Sequence, residues 1–155
     1  MEQQNNEINT FESLLARDGR LVYKTRGTSM QPMLYENRDL VVISAPQGRL
    51  QPYDVALYRR GSAYVLHRVI KVRESDYLIR GDNTYHVEVV PDSAVIGVLT
   101  GFKRKGKDYS VQDPMYRLYV HVWCAIYPAR KVRFYLIRTA KAAARKMGIS
   151  RRNLT

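Results

Sequence analysis

The sequence predicts a mainly β domain, a compact coiled antiparallel sheet or barrel, with a short helix before it and basic helices after it. Three observations predict it. Between residues 21 and 111, short runs of β-branched and aromatic residues follow one another at close spacing. Turn signals separate the runs: Asn37-Arg38-Asp39, Pro46-Gln47-Gly48, Gln51-Pro52-Tyr53-Asp54, Arg60-Gly61-Ser62 and Lys105-Gly106-Lys107. Beyond residue 113 the pattern changes, because acidic residues stop and a basic, aromatic segment begins.

Taken in order, residues 1–8 are polar and expected to fray. Thr10 can cap a short helix through about Arg17, with Phe11, Leu14 and Leu15 on one face. Asp18-Gly19 stops it. Strands are expected at 21–26, 40–44, 55–59, 64–72, 77–79 and 95–103, with a partner for the last at 109–111. Pro114 opens a segment broken at Pro128, and a basic helix follows from Ala129 to about Met147, ended by Gly148. The expected divisions are therefore 1–20, 21–113 and 114–155, and 155 residues suffice for one domain with a real core.

Charge is uneven. The net charge is +12, yet residues 1–113 hold 16 basic against 14 acidic side chains, and residues 114–155 hold ten Lys/Arg and no acid. A one-signed tail addresses anionic partners, lipid headgroups or nucleic acid. Its Trp, Tyr and cationic side chains are those of an interfacial helix, so peripheral contact with an anionic membrane through 114–147 is the expectation, ahead of a first half packed on the sheet with a free basic end, and of nucleic acid. The first residues carry no basic and apolar export signal, and no run reaches the roughly 18 apolar residues of a spanning helix. A cytoplasmic body, peripheral to the membrane at most, is expected. The single cysteine, Cys124, excludes an intramolecular disulfide and a cysteine-based metal site. His86 and His121 with scattered acids make no metal site, and no cofactor is expected.

Three places carry possible chemistry. In Gly27-Thr28-Ser29-Met30-Gln31-Pro32-Met33-Leu34, Gly27 permits unusual backbone angles and Pro32 presets a turn or helix start. Ser29 then stands at a strand-to-turn transition with hydroxyl and N–H presented, as a nucleophile requires. The same residues also fit a serine capping a short helix. On the strand at 64–72, Val65, His67 and Val69 share a face, so His67 is a titratable group on an apolar surface, or a structural histidine hydrogen-bonded in the sheet. Arg80-Gly81-Asp82-Asn83-Thr84 is turn chemistry that can also present Asp82 to an imidazole on the neighbouring strand, and Glu88 is a second acid within reach.

Together these pieces resemble one family. Gly27-Thr28-Ser29-Met30-Gln31-Pro32, Tyr53-Asp54-Val55-Ala56-Leu57, Leu66-His67-Arg68-Val69-Ile70, Arg80-Gly81-Asp82-Asn83 and Pro91 through Val95-Ile96-Gly97 are similar, in order, to the boxes of type I signal peptidases and the related self-cleaving SOS-type repressors. The resemblance covers roughly residues 20–103. Where many bacterial members carry a lysine base, this chain has His67, which resembles the endoplasmic-reticulum and archaeal enzymes. The resemblance implies a signal-peptidase-like fold and a serine endopeptidase, with Ser29 as nucleophile, His67 as base and Asp82 as acid. Glu88 is the second choice for the acid, and the Ser29 N–H, with Thr28, serves the oxyanion. An imidazole suits that role, since it is mostly unprotonated near neutral pH, whereas a lysine must first be desolvated. The family's transmembrane anchor has no counterpart here. Only 28 residues precede Ser29, and Gly27 stands where the family often has another serine. A catalytically silent peptide-binding module and a regulator acting through the basic tail are the competing expectations.

Overall fold

Helix α1 (Phe11–Asp18) begins where the sequence places its cap: Thr10 is extended, and its side chain accepts a hydrogen bond from the Ser13 N–H. Gly19 ends it in the left-handed region at φ 66°, donating its N–H to Leu15 O. The computed structural model describes residues 10–146. The segment 1–8, expected to fray, and the helix end expected at Met147 and Gly148 lie outside the described residues.

Eight strands follow: β1 (Arg20–Lys24), β2 (Leu40–Ser44), β3 (Val55–Arg60), β4 (Ala63–Val72), β5 (Asp76–Arg80), β6 (Glu88–Pro91), β7 (Val95–Arg104) and β8 (Lys107–Ser110). They form one antiparallel sheet in the order β1-β2-β7-β3-β4-β5-β6, with β8 added to β7. The fold is mainly β, as expected, but the sheet stays open, because β1 and β6 end the order without pairing. The barrel alternative is thereby corrected. Register shifts at Val42/Ile43, Leu57/Tyr58 and Val69/Lys71 bend the strands that carry them. Strand β6 was not anticipated. It is four residues long and ends in proline, too short for an alternation to register.

The middle of β4, residues 66–69, is buried on both sides, and the two faces differ. On one, Val69 joins Leu50, Ala56, Tyr58, Tyr77, Ile79 and Val90 in an apolar cluster, with Val65 packed against it. His67 lies between Val65 and Val69 on that face. On the other lie Leu66 and Arg68, the latter fully buried. Each large apolar side chain so enclosed contributes about 1.5–3 kcal/mol, which keeps the central strands fixed under the site.

Internal contacts divide the chain between Arg117 and Leu118. Helix α2 (Pro114–Ala125) crosses that boundary and α3 (Tyr127–Lys146) follows. Pro128 lies in the first turn of α3, where its missing N–H costs nothing. No described helix is long and apolar enough to cross a membrane.

Candidate active site

The serine loop is held from beneath. Gly27 takes φ 80°, in the left-handed region that favours glycine. Beyond Ser29, Met30, Met33 and Leu34 are buried, and turns close through Gln31 N to Thr28 O at 3.2 Å and Leu34 N to Met30 O at 3.0 Å. Asp39 locks the far end: its carboxylate accepts from the Tyr35 N–H at 2.9 Å and from the Arg38 guanidinium at 2.6 and 2.8 Å. Burial works against that charge, but Arg38 and the Tyr35 N–H outweigh it and hold the carboxyl below its ordinary range. Ser29 itself is half-buried in a turn, not in a helix.

The His67 imidazole is buried with its two nitrogens facing different partners. Nδ1 lies 3.2 Å from the Tyr58 hydroxyl and 3.4 Å from Glu88 Oε1. Nε2 faces Gly81. A Cβ built on Gly81 would lie 2.7 Å from Ser29 O and 3.0 Å from Nε2. The Ser29 backbone and the free edge of the imidazole are thus separated by a gap that a single methyl group would overfill. The turn after β5 also grips the serine loop, as Asn83 donates its N–H to Ser29 O at 2.7 Å and its side-chain amide to Thr28 O at 3.2 Å. Among the described residues, the Ser29 hydroxyl and N–H make no hydrogen bond.

Burial is the main influence on His67 and lowers its pKa from 6.5; Glu88 opposes this, Arg60 adds to it and Asp82 opposes it. The imidazole is accordingly neutral near pH 7. Burial, reinforced by Glu88, pushes the Tyr58 phenol up, so it stays protonated and donates to Glu88, leaving its oxygen to accept from Nδ1–H.

Asp82 occupies a different place from the one expected. Both its oxygens accept from Arg68, at 2.7 Å each. Strand register explains this: Arg68 pairs with Arg80 across β4 and β5, so Asp82, two residues on, follows the Arg68 face. Glu88 pairs with Ile79, which pairs with Val69, and this puts Glu88 on the His67 face. The carboxylate against the imidazole is therefore the second choice, Glu88, while Asp82 acts on His67 only from the other side. Arg68 also donates to Tyr53 O, Tyr116 Oη and Met33 Sδ, tying β4, the serine loop and the start of α2 together. Burial disfavours its charge, but the Asp82 carboxylate more than offsets this and raises its pKa.

Ser29, His67 and Glu88 open onto one cleft of about 950 Å³. Met30, Leu34 and Leu66 give it an apolar lining, and Phe11, Tyr23 and Tyr64 add aromatic rings, with Phe11 stacked on Tyr64 at 4.4 Å. Lys24, Arg26 and Arg60 supply cations, and Arg60 reaches both Glu88 oxygens at 3.1 Å. His86 lines the cleft too; Asp82 and Thr28 do not. Sequence reasoning missed Tyr58 and Arg60. The hairpin turn at Gly61-Ser62 was a usable signal, because counting back from it pairs Tyr58 with Val65, diagonal to His67.

No family model matches the chain, and no curated protein matches it.

Proposed function

We propose that this protein is a serine endopeptidase of the signal-peptidase-like type, with Ser29 as nucleophile, His67 as base and Glu88 in place of Asp82 as the acid. The observation that carries the reading is the orientation of one imidazole: Nδ1 against Tyr58 and Glu88, Nε2 toward the Ser29 backbone across Gly81. That is the polarity a base needs. Glu88 and Tyr58 hold the Nδ1 side and leave Nε2 to accept a proton.

In the proposed reaction Ser29 Oγ bonds to the scissile carbonyl carbon while its proton passes to His67 Nε2. The Ser29 N–H, without a partner among the described residues, is the donor available to the oxyanion. The imidazolium, stabilised by Glu88, returns the proton to the leaving amine as the C–N bond breaks. Water then enters by the same route and releases the acyl group. Asp82 serves differently, as a positioning residue that holds Arg68 and the turn gripping the serine loop. The cleft volume and mixed lining suit an extended polypeptide segment.

A second reading, a peptide-binding module without catalysis, is favoured by the absence of a hydrogen bond from the Ser29 hydroxyl to His67. Incubation with a mixed peptide library, read by mass spectrometry, separates the two. Turnover lost in both Ser29→Ala and His67→Ala, with unchanged circular dichroism, supports the peptidase. Peptide capture without cleavage in the unaltered protein supports the module and rejects the peptidase.

A further inference from the structure

Helix α3 has one apolar face and a broader face of cations interrupted by Phe134 and Ile137. At 100° per residue, Val132, Tyr135, Leu136, Thr139 and Ala143 fall on one side, and Lys131, Arg138, Lys141 and Arg145 on the other. The apolar side is uncovered among the described residues, with Val132 60%, Tyr135 47% and Leu136 64% exposed. Leu118, Val122 and Ile126, spaced four residues apart at the end of α2 and just beyond it, are also exposed. The turn from α2 to α3 is braced internally, since the Arg130 guanidinium sits 3.6 Å over the Trp123 ring. The helix carries seven Lys/Arg and no acid.

From this surface we infer that α3 lies in the plane of an anionic lipid bilayer, with Val132, Tyr135 and Leu136 entering the boundary between headgroups and acyl chains. Two features must be explained together, and a bilayer explains both. A nucleic acid would satisfy the cations and leave the apolar face in water. A second copy would cover the apolar face but bring two tails together, each with ten cations and no acid. A bilayer takes the apolar side chains, while the long cationic stems reach back to the headgroups. Spanning is excluded by the seven charges. The inference stands apart from the catalytic reading, and its test needs no turnover.

The test is flotation of the full chain with two kinds of vesicle, phosphatidylcholine alone and a seven-to-three mixture of phosphatidylcholine and phosphatidylserine. Binding to the mixed vesicles should exceed binding to the neutral ones by tenfold or more and weaken with salt. Arg138→Gln with Lys141→Gln should weaken it about 25-fold, at roughly fivefold per cation lost near the surface. Val132→Asp with Leu136→Asp should abolish it. These side chains are exposed, so the fold should persist, which circular dichroism checks; Leu136→Ala, a milder change, should reduce binding measurably. No flotation with the mixed vesicles overturns the inference. So does flotation unchanged by the aspartate pair, or duplex DNA binding or dimer formation in its place.

Discussion

His67 and Arg68 are neighbours in the chain and opposites in the fold. His67 faces Tyr58, Glu88 and the cleft, whereas Arg68 faces Asp82, Met33 and Tyr116 and has no exposed surface. One side of β4 keeps a weak base uncharged; the other keeps a strong one charged and fully paired. The comparison shows that strand parity sorts two carboxylates onto two faces. Both acids lie after β5, yet only Glu88 shares the pleat face of the imidazole. A buried pair like Arg68–Asp82 adds little net stability over an apolar pair, but breaking it leaves a buried charge exposed to no solvent.

The largest expected effect follows from that asymmetry. Asp82→Ala should cost about 3–5 kcal/mol in urea unfolding, because Arg68 then stays buried without its partner. Glu88→Gln should cost under about 1 kcal/mol, since Arg60 is more than half exposed and water screens the pair. If the two variants were equally destabilised, the division between the faces would fail.

Gly81→Ala comes next. Its Cβ would meet Ser29 O at 2.7 Å, which is backbone and must move. A loss of about 1–3 kcal/mol is expected, with turnover reduced further by displacement of the serine loop. Unchanged turnover would show that the spacing between Ser29 and His67 is not critical.

A titration sharpens the comparison. Burial lowers the His67 pKa below 6.5, so peptide turnover should rise with pH through a midpoint on the acid side of that value and be flat near neutrality. Glu88→Gln removes the larger of the two influences that raise this pKa, so the midpoint should move further down. Stability has a matching sign. The unfolded chain binds the proton more readily, so the contribution is whole above pH 6.5 and declines as pH falls toward the folded value. His67→Gln should flatten that part of the stability profile. The smallest effect is Tyr58→Phe, about 0.5–1.5 kcal/mol for the one hydrogen bond its oxygen accepts from Nδ1–H when Nε2 is the base, read as a stability change with turnover only modestly slowed.

Much of this was legible in the chain because it rests on local rules. The Thr10 cap, the Gly19 stop and the span of β2 follow from capping and from runs bounded by turn residues. The placement of His67 between two valines followed from alternation alone. The role of Asp82 was not legible in the same way. A Gly-Asp-Asn turn announces a turn but not the face its carboxylate takes, which depends on the register of β4 against β5. Glu88 was noticed as an acid, yet its strand is too short to declare itself, so its approach to Nδ1 emerged only from the β5–β6 pairing. An open sheet and a barrel share the same strand pattern, and they are distinguished only by whether the end strands β1 and β6 pair with each other.

The central claim is that Ser29 is activated by His67, with Glu88 behind it. A serine-directed fluorophosphonate followed by intact-mass analysis tests it without any knowledge of the substrate. The account predicts a single adduct on Ser29, absent in His67→Ala and formed more slowly in Glu88→Gln. No adduct on the unaltered protein, or an adduct whose rate ignores His67, would contradict it.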